Sequence, residues 1–338
     1  MFDWSRAQPR AALLCLPAIA LPLALGIGLG RTRAGMMCAA GAFSVGFGSF
    51  QQLRQSRRLP MLVAAAGICL SSWIGTWGGL SPGVAIALAG VWGAAAGAAA
   101  VTSPGASWLA LQCLIWLVIS TAYPAHGQAA LLRGSCALAG GLFQMLVVWT
   151  GWWLGGRIPP AASTPLTPME NLARVRTWRA IHSGLILVIS VALAHTVRLG
   201  NSYWIPMTAA IVTRPAFRQT VERGLARTVG TMAGAAIATL ATSALHPRLL
   251  VLSVLVLVFA AGGYLLLFVN YAAFAASITA YVVFLLSMAG APERTLVEHR
   301  LLSTLMGAAL AWLGHALFHR AEQALITPGA PQDAAEAL

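Results

Sequence analysis

Long apolar runs alternate with short polar stretches along almost the whole chain. A helix needs about 20 residues to cross the roughly 30 Å hydrocarbon core of a bilayer, and runs of this kind predict transmembrane helices. We predict an all-α polytopic transmembrane bundle of about twelve helices, near residues 11–30, 34–50, 61–79, 82–101, 106–123, 131–154, 180–197, 203–213, 229–245, 249–268, 270–288 and 300–318.

The order of the runs indicates two similar halves with six runs each. The strongest arginine cluster follows the second run of each half, within 51–60 in the first and 214–227 in the second. Arg133 and Arg300 each open the sixth run of their half. Since an even number of spans returns the chain to the same side, the halves would be parallel repeats about an axis along the membrane normal.

The predicted domain boundaries follow from these runs. The first six-helix repeat covers residues 1–155 and the second covers 179–320. Residues 156–178 between them are rich in proline, which indicates a semi-extended cytoplasmic linker. The polar segment 321–338 is predicted to be a disordered tail.

The amino-acid composition indicates that the bundle is surrounded by lipid rather than water. Hydrophobic residues make up 59% of the 338 and charged residues only 9%, whereas a soluble domain has about 25% charged residues. Lipid must therefore cover much of the surface. The chain has no Walker A sequence, no H-E-x-x-H motif and no paired cysteines with metal spacing. We expect no cofactor, no metal and no enzymatic activity.

The net charge of +13 comes from arginine alone, because none of the 21 basic residues is lysine. The arginines cluster between the apolar runs, where the positive-inside rule places them, so that a nucleic-acid partner is a poor fit. More of them fall on the side that would carry both termini. We therefore predict an inner-membrane protein whose termini are both cytoplasmic.

Arg133 has unusual surroundings, because no acidic residue lies between Asp3 and Glu170. It must reach water or lipid phosphate, bind backbone carbonyls, pair with a glutamate of the other half, or hold an exogenous anion. Arg300 stands in the equivalent place, with glutamates nearby. Both are candidates for substrate binding.

The basic stretch 214–227 is the second candidate region. Glu222 can pair with Arg218 one turn earlier. Arg214, Arg223 and Arg227 could gather anionic substrates at the cytoplasmic mouth. The alternative is an anchor that touches lipid phosphates.

Proton coupling has few candidates, because no aspartate or glutamate falls in the middle of a run. His195 and His315 are the nearest ionisable side chains for intramembrane proton exchange. Each lies near the end of a run, so that packing at the membrane interface is the alternative.

The segment 201–234 carries a recognisable motif. Tyr203-Trp204 opens a short run, and we expect Pro206 to break or kink it. The pattern Arg-Gly-x-x-Arg-x-x-Gly-Thr-x-x-Gly follows from Arg223 to Gly234. Together with the later pair Asn270-Tyr271, this motif resembles the membrane domain of the fusaric acid resistance (aromatic acid exporter) family. The resemblance covers roughly residues 175–320, and the first half is similar only in layout.

The resemblance implies an inner-membrane transporter that exports aromatic carboxylic acids or related toxic compounds, driven by the proton gradient. Tyr203, Trp204 and Asn270 join the candidates for substrate binding, although Asn270 is also placed to cap a helix. Many family members carry a large cytoplasmic domain, whereas this chain has only the short linker.

Several partners and functions stay open at this point. The expected partners are the lipid bilayer, small organic anions and either a periplasmic adaptor or further copies of the chain. The alternatives to an exporter are a passive anion channel, which would use the same arginines without coupling, and a membrane scaffold that transports nothing.

Overall fold

A computed structural model describes residues 2–155, 172–197, 199–214, 217–245, 248–290 and 293–326. These residues contain no strand and form α-helices with two short 3-10 helices, over Trp4–Arg6 and Phe47–Phe50. The predicted all-α bundle is therefore confirmed. The helices of the first half are α1 Pro9–Cys15, α2 Pro17–Gly28, α3 Thr32–Gly46, α4 Leu59–Gly78, α5 Pro82–Ala99, α6 Pro104–Thr121 and α7 Gly127–Gly155. Those of the second half are α8 Leu172–Thr196, α9 Trp204–Val212, α10 Phe217–Leu245, α11 Leu249–Leu266, α12 Tyr271–Ser287 and α13 Glu293–Ile326.

The helices are long and apolar enough to make this a multi-pass membrane protein. Nine spans in the described residues meet the length and hydropathy that a crossing needs. The first of them, Pro9–Gly28, joins α1 and α2 around Leu16, because Pro17 opens α2. Large apolar side chains such as Leu146, Leu240 and Leu317 are exposed on the outside of the bundle. Lipid is the solvent that suits such a surface.

Several helices are longer than the apolar runs that predicted them. The sequence predicts a span from residue 229, but α10 begins at Phe217. The predicted span 300–318 is the middle of α13, which runs from Glu293 to Ile326. Hydropathy marks only the part of a helix that lipid surrounds, whereas backbone hydrogen bonding continues into the polar ends. The basic stretch after residue 217 is therefore helical.

The short helix α9 also differs from its prediction. Pro206 was expected to interrupt this run, but it is the third residue of α9, where the backbone needs no N–H donor. All nine residues of α9 are helical, and the helix ends at Val212. A nine-residue helix is too short to cross a bilayer alone.

Helices extend into parts of the segments that were predicted as linker and tail. Helix α8 begins at Leu172, within the predicted linker 156–178, and residues 156–171 lie outside the described residues. Helix α13 continues to Ile326, beyond residue 321 where the tail was predicted to begin. The rest of the predicted tail, 327–338, also lies outside the described residues.

Successive long helices run in opposite directions, so that their connections lie at two ends of the bundle. We call the end with the 51–58 connection and the α9–α10 connection the arginine end, and the other end the opposite end. At the opposite end, the hydroxyl of Tyr123 after α6 donates to Oδ1 of Asn201 before α9 over 2.9 Å. At the arginine end, the backbone N–H of Asp3 donates to the carbonyl of Val269 over 3.2 Å. Both contacts join the two halves of the chain.

Helix pairs repeat between the halves. In the first half α3 packs on α7, and α4 packs on α6 and α7. In the second half α9 packs on α13, and α10 packs on α12 and α13. The halves meet where α5 packs on α8 and where α1 packs on α11. This correspondence is what a duplicated unit would give, while the boundaries 1–155 and 179–320 stay a prediction.

Two glycines hold the α5–α8 junction together. A Cβ atom on Gly97 would lie 2.1 Å from the carbonyl oxygen of Arg179, and one on Gly93 would lie 3.0 Å from that of Ser183. The two backbones are therefore in direct contact, which only small residues permit. The junction fixes how the two halves approach each other beside the site described next.

Candidate functional site

A cavity of about 620 Å³ lies at the arginine end, between the two halves. The first half contributes the glycine face of α5, the start of α6 with Trp108, and the connection around Gln52. The second half contributes α8, the end of α9, and the start of α10. The α5–α8 junction forms one wall, since Gly93 and Gly97 are among the lining residues.

Three arginines of the second half line this cavity: Arg179, Arg214 and Arg223. Of the lining residues that the structure describes, none is an aspartate or a glutamate. Arg214 lies in the connection after α9, where burial and then the neighbouring charge of Arg223 lower its pKa to about 10. A concave surface with arginines and no carboxylate favours an anionic ligand.

Arg223 is positioned by an aromatic ring. Its guanidinium carbon lies 3.8 Å from the centre of the Tyr271 ring, and its Nε donates to the carbonyl of Ile211 over 3.3 Å. Tyr271 is the first residue of α12. Asn270 caps this helix, because its Oδ1 accepts from the backbone N–H of Ala273 over 3.0 Å. Asn270 thus supports the site by fixing Tyr271.

Arg227 and Arg300 lie deeper in the bundle and are 3% and 1% exposed. The guanidinium carbon of Arg300 lies 4.8 Å from the centre of the Trp204 ring. Its Nε donates to Oγ1 of Thr279 over 3.3 Å. The positive charge of Arg227 acts on Arg300 through space. The structure therefore brings together Arg227, Arg300 and Trp204.

Arg133 and Tyr203 lie towards the opposite end. The ring of Tyr203 lies 6.0 Å from that of Tyr123, and the Arg133 guanidinium carbon lies 5.3 Å from the centre of the Tyr123 ring. Nη1 of Arg133 donates to Oγ1 of Thr76 over 3.0 Å and to the carbonyl oxygen of Tyr123. Of the four fates predicted for Arg133, the structure shows bonds to protein oxygens. Arg133 does not line the cavity.

These interactions form one series of arginines and aromatic rings through the bundle. We call it the arginine–aromatic column: Arg223, Tyr271, Arg227, Arg300, Trp204, Tyr203, Tyr123 and Arg133. It begins at the cavity and ends at the opposite end. Guanidinium groups stack favourably on aromatic faces, which accounts for the pairs Arg223–Tyr271, Arg300–Trp204 and Arg133–Tyr123.

The two histidine candidates lie in different places. His195 is exposed near the end of α8, and its Nδ1 lies 2.9 Å from the carbonyl of Val191 in the same helix. His315 on α13 is 1% exposed, and its ring centre lies 5.8 Å from that of His182 on α8. His182 lies one turn after Arg179, which lines the cavity. His315, but not His195, is therefore close to the cavity wall.

Sequence reasoning missed several of these residues. Arg179 and His182 were not assigned a role. Tyr271 stood inside the recognised motif but was not assigned a role. Tyr123 has no signal in the sequence, because its place depends on how the two halves meet.

A known protein family is similar to the second half of the chain. Residues 187–314 match the family model described as "Fusaric acid resistance protein-like". The match includes the column residues from Tyr203 to Arg300 and leaves out Tyr123 and Arg133. No curated protein and no solved structure matches the chain significantly. The second half of the chain thus contains a fusaric acid resistance protein-like domain, as its motif predicted.

Proposed function

We propose that the protein exports small organic anions, in particular aromatic carboxylates, across the cytoplasmic membrane. The observation that carries this proposal is the cavity between the halves, which Arg179, Arg214 and Arg223 line without a carboxylate among its described lining residues. In a membrane-embedded bundle, arginines that line a cavity are candidates for binding an anion.

The cavity suits an aromatic acid in size and chemistry. Its volume of about 620 Å³ falls in the range of small-molecule sites, about 300–1,000 Å³. A guanidinium group can bind a carboxylate through two parallel hydrogen bonds. Trp108, Ile186 and Leu187 provide an apolar and aromatic wall for the ring. The substrate would place its carboxylate towards Arg223 and its ring towards this wall.

The direction of transport follows from the two ends of the bundle. The positive-inside rule supports an arrangement in the inner membrane with the arginine end and both termini in the cytoplasm. The cavity would then face the cytoplasm, while Tyr123 and Asn201 hold the halves together at the opposite end. Rocking of one half against the other would break that contact and release the anion outside.

The driving force is part of the proposal. Protons would enter through the buried pair His182 and His315, which lies beside the cavity wall. A histidine changes its charge near neutral pH and can therefore link proton movement to a conformational change. His195 was an equal candidate from the sequence, but it is exposed near the end of α8 and its Nδ1 contacts a carbonyl of the same helix.

A passive anion channel is the second candidate, because the arginine–aromatic column continues from the cavity to the opposite end. A channel would conduct anions along this column without proton coupling. Flux that follows the membrane potential alone, and is unchanged by an imposed proton gradient, would select the channel. Accumulation against an anion gradient when a proton gradient is imposed would select the exporter.

The test uses the purified full chain in proteoliposomes, with a panel of radiolabelled aromatic acids that includes benzoate, salicylate and fusaric acid. We expect protein-dependent flux of at least one acid, and loss of most of it in Arg223→Gln. Arg218→Gln is the matched control, because Arg218 lies on the same helix but its side chain is 90% exposed. If no acid moves faster than in protein-free vesicles, with correct reconstitution shown, transport of aromatic acids is wrong.

A further inference from the structure

We propose that Arg227 and Arg300 form a second anion-binding site, separate from the cavity, that holds one carboxylate or halide between α10, α12 and α13. This inference deepens the proposed function and rests on it for its role in transport. The binding site itself can be tested without any transport measurement.

The first argument is charge. Arg227 and Arg300 are almost fully buried, and within the described residues the ionisable groups that act on Arg300 are Arg227 and Tyr203. No carboxylate is among them. Two neighbouring guanidinium groups in a medium of low dielectric repel each other and have lost their hydration. An anion between them removes both penalties.

The second argument is the set of donors that have no acceptor. Nη1 and Nη2 of Arg300 and Nε of Arg227 are buried and have no hydrogen-bond partner in the described part of the chain. Buried polar groups in proteins nearly always have a partner. Arginine can only donate, so the missing partner must be an acceptor.

The third argument is the polar groups around the pair. Thr231 lies one turn after Arg227 on the same face of α10, and Ser303 lies one turn after Arg300 on α13. Both hydroxyls are buried and without a partner within the described residues. Thr279 of α12 accepts from Arg300, and a Cβ on Gly234 of α10 would lie 2.9 Å from the Thr279 Cβ. Each of the three helices thus carries a buried polar side chain that contacts the pair or lies about one turn from it.

Small residues bring these helices together. A Cβ on Gly230 would lie 2.3 Å from the carbonyl of Ala272, and one on Gly234 would lie 2.2 Å from that of Ala276. The backbones of α10 and α12 are therefore in contact beside Arg227. Neither 224–234 of α10 nor 272–279 of α12 contains an aspartate or a glutamate, so this junction supplies no carboxylate of its own. A small anion from solution is the acceptor that fits.

The position of the pair connects it with the cavity. Arg223 lines the cavity and lies against the Tyr271 ring, and Tyr271 is also next to Arg227. An anion that leaves the cavity would therefore pass one aromatic ring before it reaches this second site. We infer that the pair receives the carboxylate during its passage to the opposite end.

The test measures anion binding to the purified full chain in detergent, with bromide and benzoate as the two probes and gluconate as the bulky reference anion. We expect the melting temperature to rise with bromide or benzoate concentration. In Arg300→Gln and Arg227→Gln the apparent affinity should fall about tenfold or more, since each variant removes charge-assisted hydrogen bonds. Arg218→Gln should keep the wild-type affinity.

A second readout separates binding from a merely structural role. In gluconate, Arg300→Gln should melt at a higher temperature than the wild type, because it removes an uncompensated buried charge. A structural arginine would show a lower melting temperature in every anion. Crystals grown with bromide should show anomalous density between the two guanidinium groups. An equal rise of the melting temperature in bromide and in gluconate would overturn the proposal.

The outcomes for the two proposals can be told apart. If no aromatic acid is transported but bromide binding depends on Arg227 and Arg300, the site stands and the proposed function fails. If transport depends on Arg223 while Arg300→Gln changes neither bromide nor benzoate binding, the function stands and the second site is wrong. Density explained by water molecules alone at this place would also overturn it.

Discussion

The guanidinium carbon of Arg223 lies 3.8 Å from the centre of the Tyr271 ring, so that the first residue of α12 holds an arginine of α10 beside the cavity. A cation–π contact of this kind contributes about 0.5–2 kcal/mol, depending on how far it is desolvated. The ring would keep Arg223 turned to the cavity between transport cycles. This relationship gives the first of four predictions.

Replacing Tyr271 by leucine should raise the KM for benzoate transport by roughly fivefold, as expected for the loss of about 1 kcal/mol. Tyr271→Phe should keep the wild-type KM, because the aromatic face is retained. The measurement is the initial rate of uptake into proteoliposomes over a range of benzoate concentrations. Equal KM values for the two variants would show that the ring face does not position Arg223.

The α5–α8 junction predicts a stability effect. Gly97→Ala should lower the free energy of unfolding by about 1–3 kcal/mol, because the new methyl group meets a backbone oxygen that has nowhere to move. Gly28→Ala is the control, since a Cβ at Gly28 would meet no atom within 4 Å. Fluorescence-detected size-exclusion chromatography after heating gives the melting temperatures. A Gly97 variant as stable as the Gly28 variant would contradict the close contact.

The contact at the opposite end predicts a leak. Tyr123→Phe removes the hydrogen bond to Asn201, which contributes about 1 kcal/mol, and should increase passive benzoate flux severalfold. Asn201→Gly should do the same without backbone strain, since Asn201 has a φ of 60°. Combining both changes should add little to either alone, because they remove the same bond. Additive leaks would show that the two residues act separately.

The histidines give the fourth prediction. His182→Gln and His315→Gln should abolish accumulation driven by a proton gradient while anion exchange at equal pH continues. His195→Gln should behave as the wild type, because His195 is exposed and contacts its own helix. Accumulation of labelled benzoate at imposed pH differences is the measurement. Loss of coupling in His195→Gln alone would show that His195, the other candidate from the sequence, carries the proton.

The helices could be predicted from the sequence because lipid imposes a strong pattern on them. Each apolar run corresponds to a helix, and the ion pair expected between Arg218 and Glu222 is present at 2.8 Å. The extra turns of α10 and α13 could not be predicted from hydropathy, because their residues are polar. Pro206 was misread, since its position in the first turn of α9 depends on where the helix begins.

The candidate site could be predicted only in part. Of the arginines that were selected as candidates within residues 214–227, Arg214 and Arg223 line the cavity. The sequence could not separate Arg223, which lines the cavity, from Arg227, which is buried beside Arg300. That difference depends on one helical turn and on the packing of α12. Tyr123 and Arg179 lie in elements that meet the site only after folding.

The shortness of α9 has an electrical consequence. A helix of nine residues spans only about 13 Å. If the arginine end faces the cytoplasm, as we propose, and water fills the cavity beside α9, the cytoplasmic voltage reaches deep into the bundle. The remaining voltage falls across the thinner barrier that contains Arg227, Arg300 and Trp204. Each elementary charge that crosses gains or loses about 2.3 kcal/mol per 100 mV. A cell with a negative interior would therefore push an anion outward over this short distance, even before protons contribute.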